Sequence, residues 1–453
     1  MSFRNWFSFI LIAGNVFYFQ NSFSQGIKFE NGNWQQVLKK AKRQDKNIFL
    51  QLYSSSCEQC NEVADKAFGS ETLGDYFNQR FISVRIDGTS GEGRVLADKF
   101  SVSAFPVSLY LKENEEVLYR YNGSTSNPTA YMRYADIASS RTDEIPLNTY
   151  DKEYKEGNRG LLFLESYISE RKEMNMPVDS LLEQYAAALP KDSLHSFRVI
   201  NFIFEQAPVV TSKAFAAMNA DPYILHQVYK SATANKSAGI NNSIILKTRR
   251  KAIEERNDAL ALRAANFAKD TWGNNRINGQ KGFDLNMLEF YKGTKDTTRF
   301  IKAAKDYYNG YYMSKNLDSL KKAEEEAFKT VMKSIPGDTI KTGPRIVMRK
   351  TVIVSSSNFE YGNSLNSGAW SMYQFASGKN DLENALSWVK RAIDYHEDPA
   401  YFDTYAHLLY RLNNKDEAII REQKAVDIIN EKWHGVGIRG YENELNKMKS
   451  NSL

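Results

Sequence analysis

The stretch Asn47-Ile48-Phe49-Leu50-Gln51-Leu52-Tyr53-Ser54-Ser55-Ser56-Cys57-Glu58-Gln59-Cys60 decides the fold of the N-terminal part of this chain. Ile48 to Tyr53 is a short apolar run suited to a buried strand. From residue 57 to 68 the pattern becomes helical, with Cys60, Val63, Ala64 and Ala67 on one face. The chain has only two cysteines, and both fall at this strand-to-helix junction. Backbone N–H groups left unpaired at a helix N-terminus stabilise an anion and lower the pKa of a thiol placed there. Cys57 is then the nucleophilic thiolate. Cys60, one turn on and facing the sheet, would resolve the mixed disulfide formed by Cys57.

Two other uses of the pair compete with this one. A zinc site needs about four ligands, and the nearest histidine, His195, lies outside the segment. A purely structural disulfide closing so short a loop would constrain the unfolded chain little.

Upstream, Trp34, Val37, Leu38 and Ala41 recur at the spacing of one helical face. Downstream, Phe81 to Ile86 reads as a second central strand ending at Asp87. Asp87 to Gly93 reads as a loop and Val95 to Phe100 as a short helix. Val107 to Leu111 and Val117 to Tyr121 flank the polar Lys112-Glu113-Asn114-Glu115-Glu116, a hairpin signal. A last helix runs from Pro128 to about Ser139. Such alternation argues for a sheet covered on both faces.

The run from Asn47 to Cys60, the Phe81–Asp87 strand and Val102-Ser103-Ala104-Phe105-Pro106-Val107 before the hairpin resemble the thioredoxin superfamily. The nearest pattern is that of its secreted, disulfide-reductase-type domains. The resemblance implies an α/β thioredoxin-like fold over 25–140, with Cys57 as nucleophile and Cys60 as resolving thiol. Pro106 matches the family's cis-proline beside the disulfide. Phe105 and Pro106 are then substrate-binding residues, with the backbone of Phe105 exposed to pair with an extended substrate strand. The cysteine pair is itself the redox group, so neither a dissociable cofactor nor a metal is implied. Three positions depart from the family pattern. Gln51 stands where a buried acid is often found, Ser56 replaces the usual Trp, and Glu58-Gln59 replaces Gly-Pro. A carboxylate next to Cys57 opposes thiolate formation.

Arg4, the apolar run from Trp6 to Phe19 and Ser22-Phe23-Ser24 before Gln25 describe a secretory signal peptide over 1–24. That run is shorter than the about 20 apolar residues that span a bilayer. The expected mature protein is exported, periplasmic or secreted, with no membrane span after cleavage, in an oxidising compartment. Hydrophobic residues make up 42% of the chain and charged residues 25%, which excludes a disordered or multi-span membrane protein. A net charge of +6 over 453 residues is too small to point to nucleic acid.

Thr142 to Gly157 is polar without a stripe, so 141–157 reads as a linker. Helical stripes dominate beyond it, except for strand-like Ile346 to Val354. About seven or eight helices are expected from Asn158 to Pro336, within a helical region over 158–360. Ala385 and Ala392 recur as Ala418 and Ala425, a spacing of 33 residues. Together with the helix pairs around them, these make 361–450 resemble tetratricopeptide repeats, a period of about 34 residues. Lys247-Thr248-Arg249-Arg250-Lys251 reads as a solvated helix face. His396 and His407 lie without partner ligands and read as surface or packing residues.

The fold class expected is thus an α/β thioredoxin-like domain followed by an all-α helical-repeat domain. The expected activity is thiol–disulfide exchange on protein or peptide disulfides, fed by an unnamed upstream thiol donor, with the repeats offering a surface to a protein partner. The competing reading is an exported scaffold whose thioredoxin-like domain only binds or senses redox state.

Overall fold

In the computed structural model, residues 26–334, 338–342, 345–349, 357–433 and 438–453 are described. The expected leader at 1–24 lies outside them. The chain divides into two compact units, with the division between Pro190 and Lys191.

In the first unit, strands β1 (Phe29–Glu30), β2 (Asn47–Tyr53), β3 (Phe81–Asp87), β4 (Val107–Leu111) and β5 (Val117–Asn122) form one sheet in the order β1-β3-β2-β4-β5. β3 runs parallel to β1 and β2, while β4 is antiparallel to β2 and β5 to β4. Helices α1 (Trp34–Gln44), α2 (Glu58–Phe68), α3 (Glu71–Arg80), α4 (Gly91–Lys99) and α5 (Pro128–Ser140) cover it. Side chains alternate across a strand. Ile48, Leu50 and Leu52 of β2 accordingly pack with Trp34 and Val37 of α1 and Leu96 of α4. Phe49 packs on the other face with Phe68 of α2, Phe77 of α3 and Tyr131 of α5. Burial on both faces is why this strand reads as continuously apolar. Local signals set the ends: Asn33 accepts from the N–H of Gln36 to cap α1, and Asn127 caps α5 ahead of Pro128.

Two elements go beyond the sequence reading. β1 is too short for any periodicity, and α3 is cut from α2 by Gly69-Ser70.

The polar segment read as a linker is built into this first unit. Helices α6 (Leu147–Lys155), α7 (Leu161–Glu173) and α8 (Asp179–Ala188) follow α5. Arg141, only 6% exposed, pairs with Glu144 at 2.8 Å, Glu170 at 2.7 Å and Glu173. Tyr150 stacks on Tyr167. Most polar side chains of 141–157 are exposed, and the buried anchors on this segment are Arg141 and Leu147. Asn175, between α7 and α8, donates to the carbonyl of Arg120 on β5, and Asn122 donates back to the carbonyl of Asn175, both at 3.0 Å.

Among its described residues the second unit is helical apart from the hairpin β6 (Asp338–Thr342) and β7 (Arg345–Arg349). That hairpin holds part of the strand-like stretch 346–354, and the remainder falls outside the described residues. Helices α9 (Phe197–Glu205), α10 (Lys213–Met218), α11 (Pro222–Ser231) and α12 (Ala234–Glu255) come first. They are followed by α13 (Asp258–Asp270), α14 (Arg276–Gly293), α15 (Thr297–Tyr308) and α16 (Leu317–Ser334). The described residues from 158 to 334 thus hold ten α-helices rather than seven or eight. The excess is in short pieces, because Ser212 and Asp221 cap new starts within a few residues of Pro208 and Pro222. Thr248, in the middle of the basic run, is fully buried, and Arg249 donates to Asn286.

The last helices are α17 (Ser357–Phe375), α18 (Lys379–Tyr395), α19 (Pro399–Arg411), α20 (Lys415–Trp433) and α21 (Ile438–Lys449). α17 packs on α18 and α19 on α20, as the repeat predicts. Ala385, Ala392, Ala418 and Ala425 are all fully buried. Their small side chains let neighbouring helices approach closely. Among the described residues no helix is long and apolar enough to cross a membrane.

Candidate redox site

Cys57 is the N-cap residue of α2, and its side chain makes no capping hydrogen bond. The first N–H groups of α2 are therefore not spent on a cap, which keeps the positive helix end available to sulfur. Cys57 and Cys60 are joined as a disulfide with their Cα atoms 5.3 Å apart. Both are half-buried, so Cys60 is less enclosed than a position facing the sheet would make it. One turn of helix at the sheet's end leaves both sulfurs at the rim.

Three contacts brace the turn before Cys57. The N–H of Cys57 donates to the carbonyl of Ser54 at 3.2 Å, and Asn61 Nδ2 donates to the same carbonyl at 3.0 Å. The N–H of Ser55 donates to Asp87 Oδ2 at 3.3 Å. Asp87 also accepts from the hydroxyl and N–H of Thr89. These hydrogen bonds, those of Thr89 first, hold its carboxyl down to about 2. Arg85 pairs with Asp65 at 2.5 Å and donates to Asn61, linking β3 to α2.

Gln51 lies on the same side of β2 as Phe49, the side covered by α2, and is fully buried. Its Oε1 accepts from Ser108 Oγ on β4 at 2.6 Å. Its Nε2 is buried with no partner, a costly state for an amide donor. The position is sealed from solvent and offers no proton acceptor.

The Phe105–Pro106 peptide bond is cis, as the family resemblance implies. The register Leu52↔Val107 sets Pro106 beside the end of β2, from which the Ser54–Cys57 turn departs. Phe105 packs on Gly88, and the N–H of Gly88 donates to the carbonyl of Tyr53 at 2.8 Å. Three chain segments therefore meet at one end of the sheet: the cysteine turn, the loop after β3, and Phe105-Pro106. Within the described residues the N–H and C=O of Phe105 take no hydrogen bond.

Residues 29–112 match the family described as thioredoxin-like. The N-terminal domain is thioredoxin-like. A solution structure of a provisionally assigned disulphide-isomerase from Bacteroides thetaiotaomicron is 27% identical to it. That match covers 27% of this chain and 98% of the other, with a TM-score of 0.24. A stretch of 53 residues is 36% identical to spermatogenesis-associated protein 20 of Rattus norvegicus. It covers 12% of this chain and 7% of that protein.

Within the thioredoxin-like domain the structure brings Cys57, Cys60, Phe105 and Pro106 to one end of the sheet. Sequence reasoning missed the bracing residues Asp87, Asn61 and Gly88. A glycine directly after a strand-ending aspartate was the available signal. In the helical region it also missed the surroundings of His407, which is buried beside Asp403 one turn away and carboxylates from two other helices.

Proposed function

We propose that the protein is an exported thiol–disulfide oxidoreductase acting on protein or peptide disulfides. The observation that carries this reading is the Cys57–Cys60 pair at the start of α2, at the same end of the sheet as the unpaired backbone of Phe105. In the reduced protein an extended substrate segment pairs with Phe105, which presents its disulfide to Cys57. The Cys57 thiolate attacks one substrate sulfur, and the other leaves as a thiolate that takes a proton. Cys60 then loses its proton and attacks Cys57 Sγ. That step releases the substrate dithiol and leaves the Cys57–Cys60 disulfide. Two electrons from an upstream thiol donor restore the pair. Export rests on the signal-like residues 1–24, and the helical repeats present a surface to a protein partner. Glu58 beside Cys57 and the missing acid at Gln51 favour the second reading, an exported scaffold whose thioredoxin-like domain only binds or senses redox state.

Trapping separates the two. Cys60→Ser accumulates mixed disulfides with exported proteins, seen as bands of higher mass that reductant removes, while Cys57→Ser traps almost none. Equal trapping by both variants, or by neither, together with no reduction of insulin by the wild-type protein, rejects the oxidoreductase.

A further inference from the structure

A second cluster of reactive side chains lies in the other unit, where α19, α20 and α21 meet. Asp403 and His407 stand one turn apart on α19, Glu422 projects from α20 and Glu444 from α21. One ligand atom each from Asp403, His407 and Glu422 lies within 4.8 Å of the others. Two donors bound to one divalent ion at about 2.0–2.2 Å stand at most about 4.4 Å apart, close to the spacing found here.

Glu422 is the observation that points to a ligand. Its side chain is fully buried, and among the described residues neither carboxylate oxygen has a hydrogen-bond partner. A buried carboxylate with no donor is costly, and a buried carboxylic acid needs an acceptor for its proton. Among the described residues nothing supplies either. His407 raises the same difficulty. Its Nδ1 lies 2.9 Å from the carbonyl oxygen of Asp403 and 3.5 Å from Oδ1 of that residue, while its Nε2 lies 3.4 Å from Oε2 of Glu444. In either neutral tautomer one ring lone pair faces an oxygen, which only a proton or a cation between them makes favourable. The rings of Trp370 and Tyr373 stand edge-on to the imidazole at 5.3 and 5.4 Å and fix its plane. The carboxylate side chains of Asp403 and Glu444 remain 21% and 27% exposed, which leaves an ion a way in.

We propose that Asp403, His407 and Glu422, with Glu444 beside them, bind one first-row divalent cation that ties the last three helices of the chain together. One imidazole among carboxylates suits Zn2+, Fe2+ or Mn2+ better than Ca2+ or Mg2+. Burial and the carboxylates of Asp403 and Glu444 push the Glu422 carboxyl up when no ion is present.

The test uses untagged full-length mature protein with the Cys57–Cys60 pair oxidised, so that thiols take no part. After stripping with chelator, Zn2+ and Mn2+ are titrated calorimetrically, with Ca2+ and Mg2+ in parallel, and melting is followed with and without ion. The expected result is one Zn2+ or Mn2+ per chain and a melting point several degrees higher. Glu422→Gln should weaken binding at least about tenfold, the loss typical even of an outer partner, while the ion-free variant melts no lower than wild type. If Glu422→Gln does not fold, Asp403→Asn decides by the same binding loss. No uptake by the wild type, preference for Ca2+, or uptake unchanged in the folded variant overturns the proposal.

Discussion

A β-carbon on Gly88 would stand 2.1 Å from Cε1 of Phe105, so the loop after β3 and the residue before Pro106 share one packing volume. Gly88→Ala must displace the ring. The expected cost is about 1–3 kcal/mol in a urea melt, as for other overpacked sites, together with slower capture of a disulfide peptide. In a Phe105→Ala background the same change should cost little, because the ring is gone. Costs that simply add across the two sites would mean that the contact does not matter.

Gln51 sits in a buried position with an acceptor used by Ser108 and a donor used by nothing. Gln51→Glu keeps the first contact and adds an oxygen able to take the proton of Cys60. Release of a trapped mixed disulfide should then quicken by about tenfold or more, since a positioned base contributes at least about a hundredfold at best alignment. Single-turnover rates from pH 6 to 8 check this, a span chosen because thiolate fractions change over roughly that range. Identical rates across it would remove Gln51 from the mechanism.

Glu58 is exposed and directly follows Cys57. Removing its charge with Glu58→Gln takes a carboxylate away from the developing thiolate. Alkylation of reduced protein near pH 7 should quicken by about two- to fivefold, a modest figure because exposed charges are screened. The effect should fade in 1 M salt, where the Debye length is about 3 Å. A gain that persists in salt would point to a conformational cause.

Asp87 binds the cysteine turn through Ser55 and is held at about 2 by its hydrogen bonds. Its pKa in the folded chain lies below the unfolded value of about 3.9. The stabilisation is therefore complete at neutral pH and disappears as pH falls from about 4 to 2. The stability gap between wild type and Asp87→Asn should follow that course, shrinking to nothing in acid. A gap that stays constant down to pH 2 would show that the carboxylate charge plays no part.

Much of the first unit could be read from sequence because its signals are local. β2 is apolar on both faces, and Cys57 and Cys60 mark the junction into α2. The Val107–Asn122 hairpin brackets a polar turn. β1 escaped because two residues carry no period, and α3 because Gly69-Ser70 hid a second start. The site was legible at its cysteines and at Phe105-Pro106, whose pattern is contiguous. Its braces were not, since the contact of Ser55 with Asp87 spans two strands. The same reason hid the surroundings of His407. Asp403 is one turn away, but Glu422 and Glu444 arrive on separate helices, and no spacing rule joins them.

The paired amides of Asn122 and Asn175 bear on how the protein behaves in a crowd. β5 is the last strand of the sheet, and an open strand edge is a template on which another molecule can add its own strand. The turn between α7 and α8 occupies that edge by filling the Arg120 carbonyl. At the opposite margin β1 offers only two residues. The helices beyond Ser140 thus act as a guard rail, and a chain shortened at that point would keep its cysteines but should self-associate through β5. Light scattering on chains ending at Ser140 and at Pro190 would reveal the difference.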